Sequence, residues 1–494
     1  MLDKHLVHAL VGGEDLDCGS ADFGGNPMLA CGHGSALLDS PTTGILFRIG
    51  PMILRFIAFV VIVPTCLAQT SASTTAPSRP DDIAEMTTQA NQGSTDAQVK
   101  LGDAYLRGRG VTQNDAEAVR WFRAAAEKGN AEAQYDLGNL YAIGIGVGRD
   151  DIEATKWLLQ AAKNGSAKAQ YNMGVRYAYG RGGVPKDNAQ AASWFRKSAE
   201  QGFALGQMGL ADGYANGLGL RKDEAEALKW YTKAAEQGLP EAQTQVGNIY
   251  YKGEGTPVNY QQAMSWFQKS AGQKNADAEF NLGLIYERGH GVGANSSKAA
   301  GYYRIAAEHG SASALSNLGS LYQHGKGVPQ DQEKAMKLYA LAAEKGVFEA
   351  QFYLAGAYLS GGGVQKDAIQ GAKWMQLAAS HGNAEADCNL AILYQTGTGL
   401  PQSYTDAVTW FRKAAEQGLP KAQHNLGALY GNGQGTKKDF VEAYKWLSLA
   451  NRSGYKDSRQ ALDWLNAQMT PDQVAEAQHL ADTWVSVHSQ LLTK

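Results

Sequence analysis

Small and apolar residues fall on a helical period in two adjacent blocks of this chain. Ala97, Leu101, Gly102 and Tyr105 share one stripe, because positions three and four apart stack on the same face of a helix. Ala118, Trp121, Ala125 and Ala126 make a second stripe by the same rule. The two expected helices are called A and B. The pair recurs: Leu101-Gly102 returns as Leu137-Gly138, Met173-Gly174, Leu210-Ala211, Val246-Gly247, Leu282-Gly283, Leu318-Gly319, Leu354-Ala355, Leu390-Ala391 and Leu426-Gly427, giving ten copies. Leu137 follows Leu101 by 36 residues, and one extra residue enters at the Gly182-Gly183 loop.

Polar punctuation keeps the same register. Asn114, Asp150, Asp187, Asp223, Asn259, Asn295, Asp331, Asp367, Ser403 and Asp439 stand where helix B begins. All are residues whose side-chain oxygen accepts an unpaired N–H of a first helical turn. Helix B should end at Gly129, Gly165, Gly202, Gly238, Gly310, Gly346, Gly382, Gly418 and Gly454, since glycine enters the left-handed conformation that stops a helix. Lys274 is the one departure. Loops such as Gly108-Arg109-Gly110-Val111 turn the chain between A and B. Trp121, Trp157, Trp194, Trp230, Trp266, Tyr302, Leu338, Trp374, Trp410 and Trp446 should fill the gap between neighbouring repeats. One helix pair cannot bury both of its faces, so stacking on its neighbours is what stabilises it.

The shared pattern Ala-x-Ala-Gln-x-x-Leu-Gly-x-x-Tyr-x-x-Gly-x-Gly-Val-x-x-Asp-x-x-x-Ala-x-x-Trp-x-x-x-Ala-Ala-x-x-Gly resembles the Sel1-like repeat, a relative of the tetratricopeptide repeat with a longer inter-helix loop. The resemblance implies an all-α, right-handed superhelical α/α solenoid acting as an interaction scaffold or adaptor. It covers residues 97–455, with 81–96 expected as an N-terminal half-repeat and 456–494 as capping helices. Within the cap, Ala461, Leu462, Trp464 and Leu465 form one apolar set. Thr470-Pro471-Asp472-Gln473 opens a last helix with a capping box, and Val474, Ala477, Ala481 and Trp484 give that helix its apolar face.

Composition adds bounds. The chain has 494 residues, a net charge of −3 and 44 % hydrophobic residues, so nothing in its charge points to nucleic acid. Residues 1–51 develop no apolar period, and Gly12-Gly13, Gly24-Gly25 and Gly32 to Gly34 interrupt each candidate helix; they read as an over-long, disordered extension. Met52 to Arg55, the apolar run Phe56 to Val63, and Cys66-Leu67-Ala68 have the charged start, short core and small exit residue of a signal peptide. Translation from Met52 and cleavage after Ala68 imply a periplasmic or secreted protein; an uncleaved inner-membrane anchor is the alternative, although the run is short for a span. Residues 69–80 are Ser/Thr/Ala/Pro-rich and read as a linker. Of Cys18, Cys31, Cys66 and Cys388 only the last survives cleavage, so no internal disulfide is available.

Helix A lines the concave surface in tetratricopeptide relatives. By that resemblance, the position just before the Leu-Gly step faces a groove. It reads Lys100, Asp136, Asn172, Gly209, Gln245, Asn281, Asn317, Tyr353, Asn389 and Asn425. Asparagine is a mediocre helix former, so its recurrence at one phase asks for a reason. It carries both a donor and an acceptor, and Asn172, Asn281, Asn317, Asn389 and Asn425 are therefore candidate contacts to the backbone of an extended partner segment. The competing reading is that each Asn bonds the neighbouring helix and sets repeat spacing. Tyr135, Tyr171, Phe280, Phe352 and His424, one position earlier, are further candidates because exposed aromatics suit binding, with packing between turns as their competing role.

Catalysis is the rival class. His290 and His324 occupy matching places in successive repeats, but no third ligand completes a metal site at the required spacing. The Gly-x-Gly elements join helix to helix and have no strand before them, so they are not phosphate loops. Members of the resembled family linked to β-lactam hydrolysis carry paired cysteines in each repeat, which this chain lacks. The expectation is a monomeric, cofactor-free scaffold for a protein or peptide, possible neighbours being cell-envelope or peptidoglycan-associated proteins. A β-lactamase-like or wall-active hydrolase is the alternative, and a cytoplasmic adaptor the third.

Overall fold

A computed structural model describes residues 80–488. The expectations for residues 1–51, for the signal segment at 52–68 and for residues 69–79 of the linker lie outside the described residues. The described chain falls into two compact units that divide between Ala263 and Met264, within helix Tyr260–Ala271. Among the described residues there are 23 helices and no strand. They form ten A/B pairs, preceded by helix Pro80–Asn91 and followed by Ser458–Asn466 and Pro471–Val487, and the pairs pack as a solenoid.

The caps act as their residue types require. Asn114 accepts from the Glu117 N–H at 3.1 Å, Asp331 from Lys334 at 2.8 Å, and Ser403 from Asp406 at 3.2 Å. Each cap residue also returns its own N–H to the end of helix A, Asn114 to the Tyr105 carbonyl at 2.9 Å and Asp331 to Tyr322 at 2.9 Å, which closes the long loop. Two glycines in that loop have different duties. Gly397 ends helix A in the left-handed region at φ 71°. Gly399 lies against the preceding repeat, where a methyl group would come within 1.9 Å of the Ala368 carbonyl oxygen.

The glycine that ends helix B is under no such pressure. Gly382, at φ 74°, has nothing within 4 Å of where a Cβ would stand. Lys274, which replaces that glycine once, is the one non-glycine residue with positive φ among the described residues, at 62°. The chain holds the turn there and accepts a strained lysine, a cost of about 1–2 kcal/mol.

Both helices supply the interior, helix A with Leu101, Leu137 and Leu282 and helix B with larger side chains. In most repeats the residue after the tryptophan position is the more deeply buried: Phe122, Leu158, Phe267, Tyr303 and Phe411 are all 1 % exposed or less. The Leu-Gly step admits these rings, and a methyl group on Gly283 would stand 2.5 Å from the Tyr303 ring. The indoles do pack against the preceding repeat, as Trp157 and Trp410 show, but only Trp121, Trp194 and Trp446 are buried among them. Others are half-buried beneath a lysine one turn on: Lys233 lies 3.9 Å from the Trp230 ring centre and Lys269 the same distance from Trp266. A long apolar stem shields the indole while the ammonium stays in water.

Each unit has its own end cover. Helix Pro80–Asn91 stands in for a helix B, with Ala90 packed beside Ala97, Leu101 and Trp121. In the C-terminal unit the capping box at Thr470 and Gln473 forms, and Ala477, Ala481 and Trp484 are buried against the last repeat. Trp464 departs from expectation. It is 53 % exposed and meets Phe440 edge-on at 5.7 Å, because Leu462 and Leu465 take the inward face of their short helix.

Candidate interaction face

Rings that pass beneath the Leu-Gly glycine emerge beside the asparagine row. The Tyr303 hydroxyl bonds Glu287 Oε2 at 2.5 Å, and the Asn317 amide of the next repeat lies beside the same hydroxyl. One repeat on, Tyr339 donates to Gln323 Oε1 at 3.0 Å, and Tyr353, at the row position, stacks on its ring at 4.9 Å. The row thus stands where consecutive A helices meet a helix B ring. In the N-terminal unit, Asn172 Nδ2 reaches Asn139 Oδ1 of the preceding helix A at 3.5 Å.

The expected contacts are not equally open. Asn172, Asn317, Asn389 and Asn425 are half-buried, whereas Asn281 is buried. Tyr135 and Phe280 are buried at 4 % and 6 % exposure, Phe280 with its ring 5.6 Å from Tyr303. Their position turns toward the neighbouring helix rather than outward. Tyr171, Phe352 and His424 are half-buried: Tyr171 between Phe195 and Phe203, Phe352 against Phe348, and His424 on Ser458 Oγ at 3.0 Å. His324 bonds its own helix at the Ser320 carbonyl, 2.8 Å away. No group of three or more His, Cys, Asp or Glu placed to hold a metal ion occurs among the described residues.

Asp136 stands at the row position in the second repeat. Burial, with help from Glu132 and Asp103 against the pull of Lys168 and Arg107, lifts its carboxyl to about 7. It therefore changes charge near neutral pH, where the asparagine of other repeats does not.

A second periodic row escaped the sequence reading, which quoted it only as the Ala-Gln of the repeat. Gln98, Gln134, Gln170, Gln243, Gln351 and Gln423 each donate from Nε2 to the carbonyl eight residues back, at the end of the preceding helix B, over 2.9 to 3.2 Å. In several repeats the amide oxygen accepts from the far end of its own repeat, as in Asn164 to Gln134 at 2.9 Å and Gln237 to Gln207 at 2.8 Å, while Gln98 and Gln423 leave theirs unpaired. One buried amide ties together two successive B helices, and a neutral donor–acceptor is what two such partners need. The recurrence of Gln in seven of the ten repeats was the available signal.

Three repeats lack it. Leu315 is buried in its place, Glu279 meets His309 Nδ1 at 2.8 Å, and Asp387 accepts from Gln417 at 3.1 Å. Burial raises both acids, against the lowering pull of His309 on Glu279 and of Lys413 and Gln417 on Asp387.

Stacked helix pairs, rings threaded through glycine gaps and a row of polar groups on successive A helices define an α-solenoid of the tetratricopeptide type. The chain belongs to the Sel1 repeat family: the family model matches ten consecutive stretches from 95–130 to 420–455. It is similar to the crystal structure of c5321, a protective antigen of uropathogenic Escherichia coli with an SLR fold, at 34 % identity over 83 % of this chain and 88 % of that one, with a TM-score of 0.63. It is also similar to a Sel1 repeat protein from Oxalobacter formigenes, at 32 % identity over 67 % of this chain and 99 % of that one, TM-score 0.50. No curated protein matches the chain.

Proposed function

We propose that this protein is an exported, non-catalytic scaffold whose helix A face holds an extended segment of a partner protein. Sel1 solenoids commonly serve protein–protein interaction, and that coarser role follows from the family. The observation that supports the finer reading is the row itself. Asn389 and Asn425 are half-buried one repeat apart, and among the described residues neither amide makes a side-chain hydrogen bond to its neighbours. Asn317, by contrast, lies beside the Tyr303 hydroxyl. An asparagine that meets a backbone amide and carbonyl satisfies both without reading side chains, which suits a groove that takes an extended chain.

Export rests on the segment at 52–68, and the antigen character of the similar Escherichia coli protein accords with it. Mass spectrometry of the mature N-terminus checks this part, with Gln69 as the expected first residue. For the groove, the double variant Asn389→Ala/Asn425→Ala is compared with wild type for partner recovery from crosslinked cells and for melting temperature. Loss of the partner at an unchanged melting temperature is expected. Full recovery of the partner with a lowered melting temperature would make the row a packing device.

A further inference from the structure

The repeat at 384–419 carries a cleft of about 420 Å³ beside a position where it departs from the other repeats. Its lining includes Ala379 and Ser380 at the end of one helix B, Asp387 on helix A, and Trp410, Lys413, Glu416 and Gln417 on the next helix B. In six repeats the residue at the position of Asp387 is a glutamine that spans to the carbonyl eight residues back. Here that carbonyl belongs to Ala379. It accepts from the Gly382 N–H at 3.0 Å, but aspartate brings no second donor and is a methylene shorter.

Asp387 is 1 % exposed. Its Oδ2 accepts from Gln417 at 3.1 Å, while its Oδ1 is shut from solvent and has no hydrogen-bond partner. Gln98 and Gln423 also leave an oxygen unpaired at this position, but theirs is a neutral amide; an unpaired buried carboxylate oxygen is costlier, and a donor brought to it relieves that cost.

We propose that this cleft binds a primary alkylammonium group, whose N–H donors bridge Asp387 Oδ1 and the Ala379 carbonyl while its alkyl stem lies along Trp410. Three features select that chemistry. Only one carboxylate oxygen is unoccupied, which suits a compact point charge better than the two-pronged fork of a guanidinium. Glu416 and the carbonyl ends of helices Ala368–Ala379 and Tyr404–Glu416 all favour a cation. Lys413 is the one lysine or arginine of the lining, and its ammonium rests over the Trp410 ring at 3.7 Å. It is a resident competitor and not a ligand of Oδ1.

The test is isothermal titration of the full chain with n-butylammonium and with Nα-acetyl-lysine N-methylamide, using tetramethylammonium as a cation without N–H groups. Saturable binding at one site is expected for the first two and not for the third. Asp387→Gln restores the glutamine of other repeats. It should keep or raise the melting temperature while weakening binding tenfold or more, and Lys413→Gln should strengthen binding. Tighter binding of the lysine derivative assigns the site to a partner's lysine side chain; equal affinity assigns it to free amines. Absence of saturable binding, unchanged binding in Asp387→Gln, or equal binding of tetramethylammonium overturns the proposal.

Discussion

The two units are built from the same helix pairs, yet they keep different rows uniform. In residues 80–263 the stitching position is Gln98, Gln134, Gln170, Gln207 and Gln243, while the groove row varies through Lys100, Asp136, Asn172, Gly209 and Gln245. In residues 264–488 the stitching position wanders through Glu279, Leu315, Gln351, Asp387 and Gln423, while the groove row is Asn281, Asn317, Tyr353, Asn389 and Asn425. Both rows stand on helix A, so the fold does not demand uniformity of either. A stitch can be lost because the carbonyl it serves keeps a second donor, as Ala343 does from Gly346 at 2.9 Å and Ala379 from Gly382 at 3.0 Å. What stays fixed in both units is what has no room to change, namely the loop glycine against its neighbour and the caps of helix B.

The largest effect should appear where the units agree. Gly146→Ala and Gly399→Ala each drive a methyl group to about 2 Å from a carbonyl oxygen of the preceding repeat, at 2.1 Å and 1.9 Å. Left-handed strain and overpacking together cost about 2–5 kcal/mol, and urea melts of both variants should show a similar loss. Gly382→Ala, with open space around it, should lose only about 1–2 kcal/mol. Equal losses at Gly399 and Gly382 would mean that the inter-repeat contact contributes nothing.

Asp136 sharpens the comparison through pH. Its carboxyl is raised in the folded chain to about 7 from 3.8, so the folded state holds the proton more tightly than the unfolded one. Stability from that proton is fully present below the unfolded value and is lost as pH rises through about 7. Asp136→Asn gives the N-terminal unit the residue that predominates in the other unit's row. It should melt higher than wild type at pH 8 and at nearly the same temperature at pH 4. A difference independent of pH would contradict the assigned titration.

Smaller effects follow at the stitch and at the odd turn. Gln134→Leu copies Leu315 into the N-terminal unit and removes the bonds to Ala126 and Asn164. It should cost about 1 kcal/mol, since the Ala126 carbonyl retains the Gly129 N–H. Lys274→Gly should stabilise by somewhat under 1 kcal/mol, because relief of left-handed strain exceeds the added freedom of the unfolded chain. A destabilised Lys274→Gly variant would mean that the lysine makes a contact outweighing its strain.

Local chemistry was readable in advance, and through-space packing was not. Asp439, Ser403 and the rest of the cap row declare themselves because a cap needs only its own helix, and Lys274 stood out by breaking a one-residue rule. The sequence pattern could not say that Phe411 is more buried than Trp410, since both lie near the same helical stripe and the small residue at the matching step, Ala391, belongs to another helix. Gln134 was visible as a repeat but not as a stitch, because its two partners lie in different B helices. For the groove, the asparagine phase was plain in the sequence. That Asn281 is buried and Asn317 lies beside Tyr303 depends on which ring emerges beside each.

The groove account is tested most directly by placing a photo-crosslinking residue at position 389 or 425 in intact cells, with the exposed helix B position 373 as reference. The account predicts the same crosslinked partner from 389 and 425, little from 373, and loss of the product when an extended peptide mapped from that partner competes. Crosslinking of equal yield at 373, or a product indifferent to the peptide, would contradict it.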